Sequence, residues 1–359
     1  MDARTQADGL LRCRVDAACG PLDDLGRILV QNVLRPEARV ARSGRRRATM
    51  SMEFKMGESM PHDLDVVKLL RADMELALCP SVGGGAAAFR FRGIDVLRPA
   101  SREAIASRTP TELGAFPLFP FSGRIAEARF RFANRDINLE PNFAPEPHAI
   151  HGRAWQNVWH LDEHTQTSAS LVYESASAGA IDDWPWPYRA TQRFMLEDDG
   201  LTLSLSITNA ADEAMPAGLG WHPYFRRDDA RLTADVREIW RSGDDMIPAG
   251  PSPVDESNDL RTARDVCDLE FDDAFGVGES PTEIEWPATG IRASLVATKN
   301  LRHLIVYTPP GEDFFCAEPV SHAPDALNSR LPLERTGLVV LAPGERLEAE
   351  IRLGVEALP

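Results

Sequence analysis

Residues 188–210 read YRATQRFMLEDDGLTLSLSITNA, two runs of alternating residues that meet at Asp198-Asp199-Gly200. In the second run Leu201, Leu203, Leu205 and Ile207 fall on one side of an extended chain, with Thr202, Ser204, Ser206 and Thr208 on the other, because successive side chains of a strand point to opposite faces. A period of two with one apolar side suits a strand that covers a core with one face and meets water with the other. The Asp-Gly pair is expected to supply the positive-φ positions of a tight hairpin.

The same grammar recurs outward from this hairpin. MELALCPSVGGGAAAFRFRGIDVLRPA (74–100) reads as strand, glycine turn, strand, RGID turn, strand, and GIRASLVATKNLRHLIVYTPP (290–310) and TGLVVLAPGERLEAEIRLGVE (336–356) repeat the pattern. Almost no stretch after residue 75 offers a long capped amphipathic helix. Many short strands at this spacing predict an all-β chain, a large antiparallel β-sandwich. IDDWPWPY (181–188) and PAGPSPVDESND (248–259) read as loops at the ends or rim of the sandwich, where sites are usually built. No repeat or boundary interrupts residues 66–359, which are expected to form one domain.

Residues 1–65 have a different texture. RPEARVARSGRRRATMSMEF (35–54) has no sustained period, and residues 1–50 hold ten arginines against six acidic residues, so the acidity of the chain lies downstream. The segment is expected to be a flexible or atypical N-terminal leader, within which LDDLGRILVQNVL (22–34) has the pattern of a short amphipathic helix.

A formal net charge of −16 argues against nucleic-acid or anionic-membrane partners and favours neutral or cationic small ligands. No run approaches 18 apolar residues and the first 30 lack the order of a secretory signal, which predicts a cytoplasmic protein. Cys13, Cys19, Cys79, Cys267 and Cys316 are odd in number and form no CxxC pair, so reduced thiols are expected. Dinucleotide, phosphate-loop, zinc-protease and serine-hydrolase motifs are absent. The pairs His148/His151 (HAIH) and His160/His164 (HLDEH) lack a helix or carboxylate motif to complete a shell, and neither metal nor cofactor is expected.

Five stretches bring chemistry-bearing side chains together with apolar ones. GLGWHPYF (218–225) crowds His222 against a proline and aromatics; alone, such a histidine reads as a satisfied core residue. The glycines are expected to let the strand end kink, while Tyr224 and Phe225 wall in the ring. FFCAEPVSHAPDALN (314–328) sets Glu318 at the end of an apolar strand, on the same face as Cys316 and opposite Phe315 and Ala317, where desolvation raises a carboxyl toward values useful to a general base. Cys316 itself reads as a small buried residue rather than a nucleophile. FSGRIAEARF (121–130) holds Arg124 in a Gly-Arg turn, suited to sugar hydroxyls or a carboxylate. HGRAWQNVWH (151–160) joins His151 to Trp155 and Trp159, aromatic faces of the kind a pyranose packs on. EFDDAFG (270–276) adds Asp272 and Asp273.

Taken in order, GRI, HG..W...W, G.G.HPYF, DD.F and EP.S..PDA.N resemble the aldose 1-epimerase (mutarotase) family over about residues 74–355. The resemblance implies a galactose mutarotase-like β-supersandwich and cofactor-free interconversion of the α and β anomers of a free sugar. It further implies His222 as general acid and Glu318 as general base, facing each other across a monosaccharide-sized hollow, with Arg124, His151 and Asp272 binding the sugar's oxygens. Many sugar-active members carry an arginine soon after the HG, where this chain has Trp155 and Gln156, which bears on sugar preference. Three other readings stand beside this one: a hexose-6-phosphate 1-epimerase using Arg226 and Arg227 at the rim, a lyase or hydrolase of carbohydrate polymers, and a non-catalytic carbohydrate-binding protein of the same fold. A monomer or homodimer is expected.

Overall fold

The computed structural model describes residues 66–177 and 179–358; the leader reading and its helix fall outside them. Nearly all regular structure is β. Among the described residues the α-helices are the short Arg102–Ser107 and Leu333–Thr336.

Two large antiparallel sheets form the body. In the first, eleven-stranded, the order is Val67–Arg71, Met74–Cys79, Gly85–Phe91, Ala115–Leu118, Gly220–Arg226, Phe314–Val320, His303–Tyr307, Asp272–Val277, Val236–Ser242 and Pro248–Pro253, with Ile94–Asp95 beside Gly85–Phe91. In the second, nine-stranded, it is His160–His164, Ser168–Glu174, Tyr188–Glu197, Gly200–Asn209, Arg346–Ala357, Ile291–Ala297, Thr282–Trp286, Arg231–Thr233 and Arg264–Asp265. One core cluster joins the inner faces, with Phe89, Phe225, Phe315 and Val306 from the first sheet and Phe194, Leu203, Leu205 and Ile351 from the second. This is the sandwich that the alternating pattern predicts.

The hairpin that opens the reading is present, with Tyr188 paired to Asn209 and the register unbroken to Glu197 and Gly200. Leu201, Leu203, Leu205 and Ile207 are all buried in the core, as the period requires. The reason for the glycine differs from expectation. Asp198, Asp199 and Gly200 are not among the positive-φ residues. A Cβ at Gly200 would instead stand 2.3 Å from the carbonyl oxygen of Leu353 on the neighbouring strand. Close approach of two backbones, not turn geometry, selects glycine there.

One loop assignment changes, and the other loop serves the core. PAGPSPVDESND begins with an edge strand, Pro248–Pro253, which tolerates its prolines because one side needs no ladder donor. IDDWPWPY is irregular but carries Trp184 and Trp186 into the core, against Phe121, Phe130 and Phe132, and builds no part of the cavity described below.

Gly200→Ala is expected to destabilise the protein by about 1–3 kcal/mol, the usual cost of forcing extra volume into packed structure. Urea unfolding checks this; an unchanged midpoint would mean that the two strands part without strain.

Candidate active site

The strands of the first sheet turn a second apolar layer away from the sandwich core, and the site lies on that outer face. Along Gly220–Arg226, His222 and Tyr224 point outward while Trp221 and Phe225 enter the core. Along Phe314–Val320, Phe314, Cys316 and Glu318 point outward while Phe315 and Ala317 enter the core, as the period of two predicts. The ladder pairs Gly220 with Val320 and resumes at Tyr224 with Cys316, which brings His222 level with Glu318. Pro223 and Pro319 lie between these pairs, and neither can donate a ladder hydrogen bond. Glu318 is thus inside the strand rather than at its end, since the strand continues to Val320.

His222 Nε2 stands 3.2 Å from Glu318 Oε1. The two side chains touch at the wall of one cavity instead of facing each other across it. Both are buried, at 7% and 2% relative exposure. Burial holds the imidazole well below its ordinary value; the guanidinium of Arg98 adds to the shift and a backbone contact opposes it. Burial likewise pushes the Glu318 carboxyl well up, with Asp272 adding to the shift and Arg124 opposing it. Burial therefore disfavours the charged form of both side chains and favours neutral imidazole beside carboxylic acid.

The cavity measures about 320 Å³ and is lined by His222, Glu318, Arg124, His151, Asp272 and Trp155, so all six candidates from the sequence converge on it. Its size falls within the range of small-molecule pockets, roughly 300–1,000 Å³.

Arg124 and His151 are presented by two interlocked turns. Arg124 pairs with Ile150, His151 N–H donates to the Gly123 carbonyl, and Gly123 N–H donates to His151 Nδ1 at 3.1 Å. With Nδ1 accepting, the proton of the neutral ring is on Nε2. Burial, then His222 and Arg124, holds this imidazole neutral. Gly152 has a φ of +69°, and a Cβ there would meet the Phe119 carbonyl oxygen at 2.0 Å, which accounts for the glycine of the HG pair.

Arg124 is gripped by Glu146, Nε to Oε2 at 2.8 Å and Nη2 to Oε1 at 2.9 Å, and reaches Asp272 Oδ2 at 3.4 Å. Burial works against its charge, but these carboxylates outweigh it and keep the guanidinium protonated. Asp273 plays a different part, accepting from Ser242 N–H at 2.7 Å.

Several expectations are corrected. Trp159 lies in the core against Phe119 and Tyr173, so of the two tryptophans only Trp155 reaches the cavity. The indole N–H of Trp155 is spent on the Gly152 carbonyl at 3.0 Å, which leaves its ring as wall. Phe225 does not flank His222; Phe116 does, its ring 4.5 Å away, with Tyr224 beside both, 4.7 Å from the imidazole and 6.0 Å from Phe116. Gly218 and Gly220 do not kink the strand, since neither has a positive φ. They make room, a Cβ at Gly218 falling 2.1 Å from the His322 ring and one at Gly220 falling 2.8 Å from Val320. Arg226 and Arg227 turn away from the cavity, Arg226 donating to Thr289 and Arg227 to the carbonyls of Pro309, Val266 and Leu269.

Sequence reasoning missed Glu146, Phe116 and Arg98. Phe116 alternates correctly within GAFPLF, a usable signal; APEPH and VLRPA carry none.

The HAIH histidines do not converge: His148 accepts from Glu127 N–H through Nδ1 and contacts the Asp245 carbonyl through Nε2. His160 and His164 are exposed. Among the described residues the compact set of ligand-type atoms is that of His222, Cys316 and Glu318, within 4.8 Å of one another. Burial keeps protons on both the thiol and the carboxyl, so a cation there would have to displace two of them. The cluster is better suited to moving protons than to holding an ion.

Residues 65–354 match the sequence profile of the Aldose 1-epimerase family. The chain is 33% identical over 277 residues to the Escherichia coli protein YphB, of unassigned activity, across 73% of this chain and 89% of that one. It superposes with a TM-score of 0.73 on an Escherichia coli K12 crystal structure named as a candidate aldose 1-epimerase, at 30% identity, over 82% of this chain and 99% of that one. A galactose mutarotase-like protein from Clostridium acetobutylicum shares the fold, with a TM-score of 0.74 at 18% identity over 81% and 95% of the two chains.

The buried carboxyl has a consequence for stability. A group whose folded pKa is raised above its unfolded value, near ~4.3 for Glu, contributes most below that value and loses the contribution as pH rises toward the folded one. Glutamine has no such proton. The thermal midpoint of Glu318→Gln is expected to draw ahead of the parent's as pH rises from about 5 to about 8. A constant gap in scanning calorimetry would place the carboxyl at its ordinary value.

Proposed function

Because the chain belongs to the aldose 1-epimerase family, we propose that it interconverts the α and β anomers of a free, uncharged aldose, with His222 as general acid and Glu318 as general base. The observation that carries this reading is the 3.2 Å contact of His222 with Glu318 at a cavity of monosaccharide size.

Opening a cyclic hemiacetal needs one proton removed from the C1 hydroxyl and one delivered to the ring oxygen. In the empty cavity the shared proton rests on Glu318. A sugar hydroxyl that donates to this carboxylate favours its charged form, and the proton crosses the short contact to His222. Glu318 then takes the C1 hydroxyl proton, the O1–H bond electrons form the second C1–O1 bond of the aldehyde, and the C1–O5 pair leaves on O5, which the imidazolium protonates. Rotation about C1–C2 presents the other face of the aldehyde. Closure runs the same transfers in reverse, with the two residues exchanging roles, so the pair ends with the proton it began with. Arg124 and His151 supply donors for the remaining hydroxyls and Asp272 an acceptor, while Trp155 and Phe116 form an apolar wall for the C–H face.

The lining also bears on the substrate. Glu146, Asp272, Asp273 and Glu312 all reach the cavity, outnumbering Arg98 and Arg124, of which Arg124 is already ion-paired. A phosphorylated sugar would meet net negative charge there, and Arg226 and Arg227 are engaged elsewhere. These features favour a neutral aldose over a hexose phosphate. The intact acid–base pair favours turnover over binding alone.

His222→Ala and Glu318→Gln are each expected to lower anomer exchange by about 10²- to 10⁴-fold, the range typical of a single general acid or base. Saturation-transfer NMR on a panel of aldoses reads this directly, and near-parental exchange in either variant on every accepted sugar would remove that residue from the mechanism. A second outcome concerns pH. With the imidazole value lowered and the carboxyl value raised, the singly protonated pair persists on both sides of neutrality. The kcat/KM of the enzyme is therefore expected to stay level as pH falls through ~6.5, where an ordinary imidazole would titrate. A half-loss there, after correction for spontaneous mutarotation, would mean that His222 is not held neutral.

A further inference from the structure

No hydrogen bond from another residue orients the His222 ring from behind: its Nδ1 is buried without such a partner, and the one backbone contact of the ring is with its own residue. What surrounds the ring is an aromatic cluster. Trp155 lies on Phe116 at 5.1 Å, while Phe116 at 4.5 Å and Tyr224 at 4.7 Å both pack on His222 and stand 6.0 Å from each other. The guanidinium of Arg98 backs this cluster, its central carbon 4.1 Å from the Tyr224 centroid and 4.5 Å from that of Phe314.

Arg98 is firmly tied. Its Nη2 donates to the carbonyls of Thr111 at 2.6 Å and Leu113 at 2.9 Å, and its backbone N–H donates to the Tyr224 carbonyl at 2.8 Å. Among the described residues it makes no ion pair with a carboxylate, unlike Arg124. Its charge meets peptide dipoles and two ring faces, while its Nε is buried without a hydrogen-bond partner.

We propose that Arg98 is a positioning residue, holding Tyr224 against the His222 imidazole and opposing a second positive charge beside it. The proposal rests on the acid–base reading of His222. A ring without a hydrogen bond from another residue must draw its angular precision from the rings packed on it, and those are only as rigid as their own supports. Phe116 is backed by Trp155, fixed by its indole hydrogen bond, and Tyr224 by Arg98, fixed by two carbonyls. The remaining titratable groups about the ring are the Glu318 carboxyl and Cys316 thiol on the adjacent strand, the His151 imidazole at 5.4 Å and the Tyr224 phenol, with Arg124 and Asp272 lining the same cavity. Of the two arginines, Arg98 is the one without an ion-paired carboxylate.

Arg98→Gln keeps a planar donor and loses the charge; Arg98→Lys keeps the charge and stem and loses the planar fork. In Arg98→Gln, kcat is expected to fall about tenfold, as for a modest misplacement of a reacting group, with KM within about twofold of the parent. Its His222 resonance, assigned by comparison with His222→Asn, should titrate at higher pH than in the parent. In Arg98→Lys the titration should stay near the parental position while kcat still falls. An unmoved titration in Arg98→Gln would overturn the proposal. So would a raised KM with kcat intact, which would make Arg98 a sugar contact. The imidazole titration is readable without turnover, so a parent inactive on every aldose would end the epimerase reading and leave this test standing.

Discussion

Two ionisable side chains share a 3.2 Å contact in a place almost closed to water, and the local architecture follows from making that tolerable. A separated carboxylate and imidazolium would each pay heavily for burial, whereas an acid and a neutral base holding one proton pay much less. In the proposed mechanism the same contact supplies the starting state, one proton that either residue can carry.

The cavity treats its two arginines in opposite ways. Arg124 is held by Glu146 and Asp272 and offers directed donors without net charge, which suits neutral hydroxyls. Arg98 is held by carbonyls and ring faces, and its field extends to the imidazole. In the proposed mechanism one arginine serves recognition and the other serves the ring that moves the proton.

This arrangement needs a rigid platform. Strands on both sides of the pair direct their alternate residues into a core shared with the second sheet, so Phe225 and Phe315 anchor the backbone whose neighbouring residues carry the chemistry. Glycines at 152, 200, 218 and 220 mark places where backbones or rings come too close for a Cβ. The ladder pairs Gly220–Val320 and Tyr224–Cys316 set the register that places His222 against Glu318.

The alternation in residues 201–207 was enough to establish a sandwich, because the period of a strand is a local property of the chain. The outward face of Cys316 and Glu318 was legible for the same reason, and the order of short motifs along the chain marked six of the residues that line the cavity. Other features depended on which segments meet. Phe116 replaced Phe225 as the partner of His222 because a neighbouring strand, not the next residue, lies over a ring. Trp159 went to the core, Arg226 and Arg227 turned from the cavity, and Gly200 served a distant carbonyl. Glu146 and Arg98 sit in segments without a period, so their roles arise only where loops are pressed against the sheet. Local sequence determined which face each side chain takes; tertiary packing alone decided which side chains become neighbours, and with that where the shared proton resides.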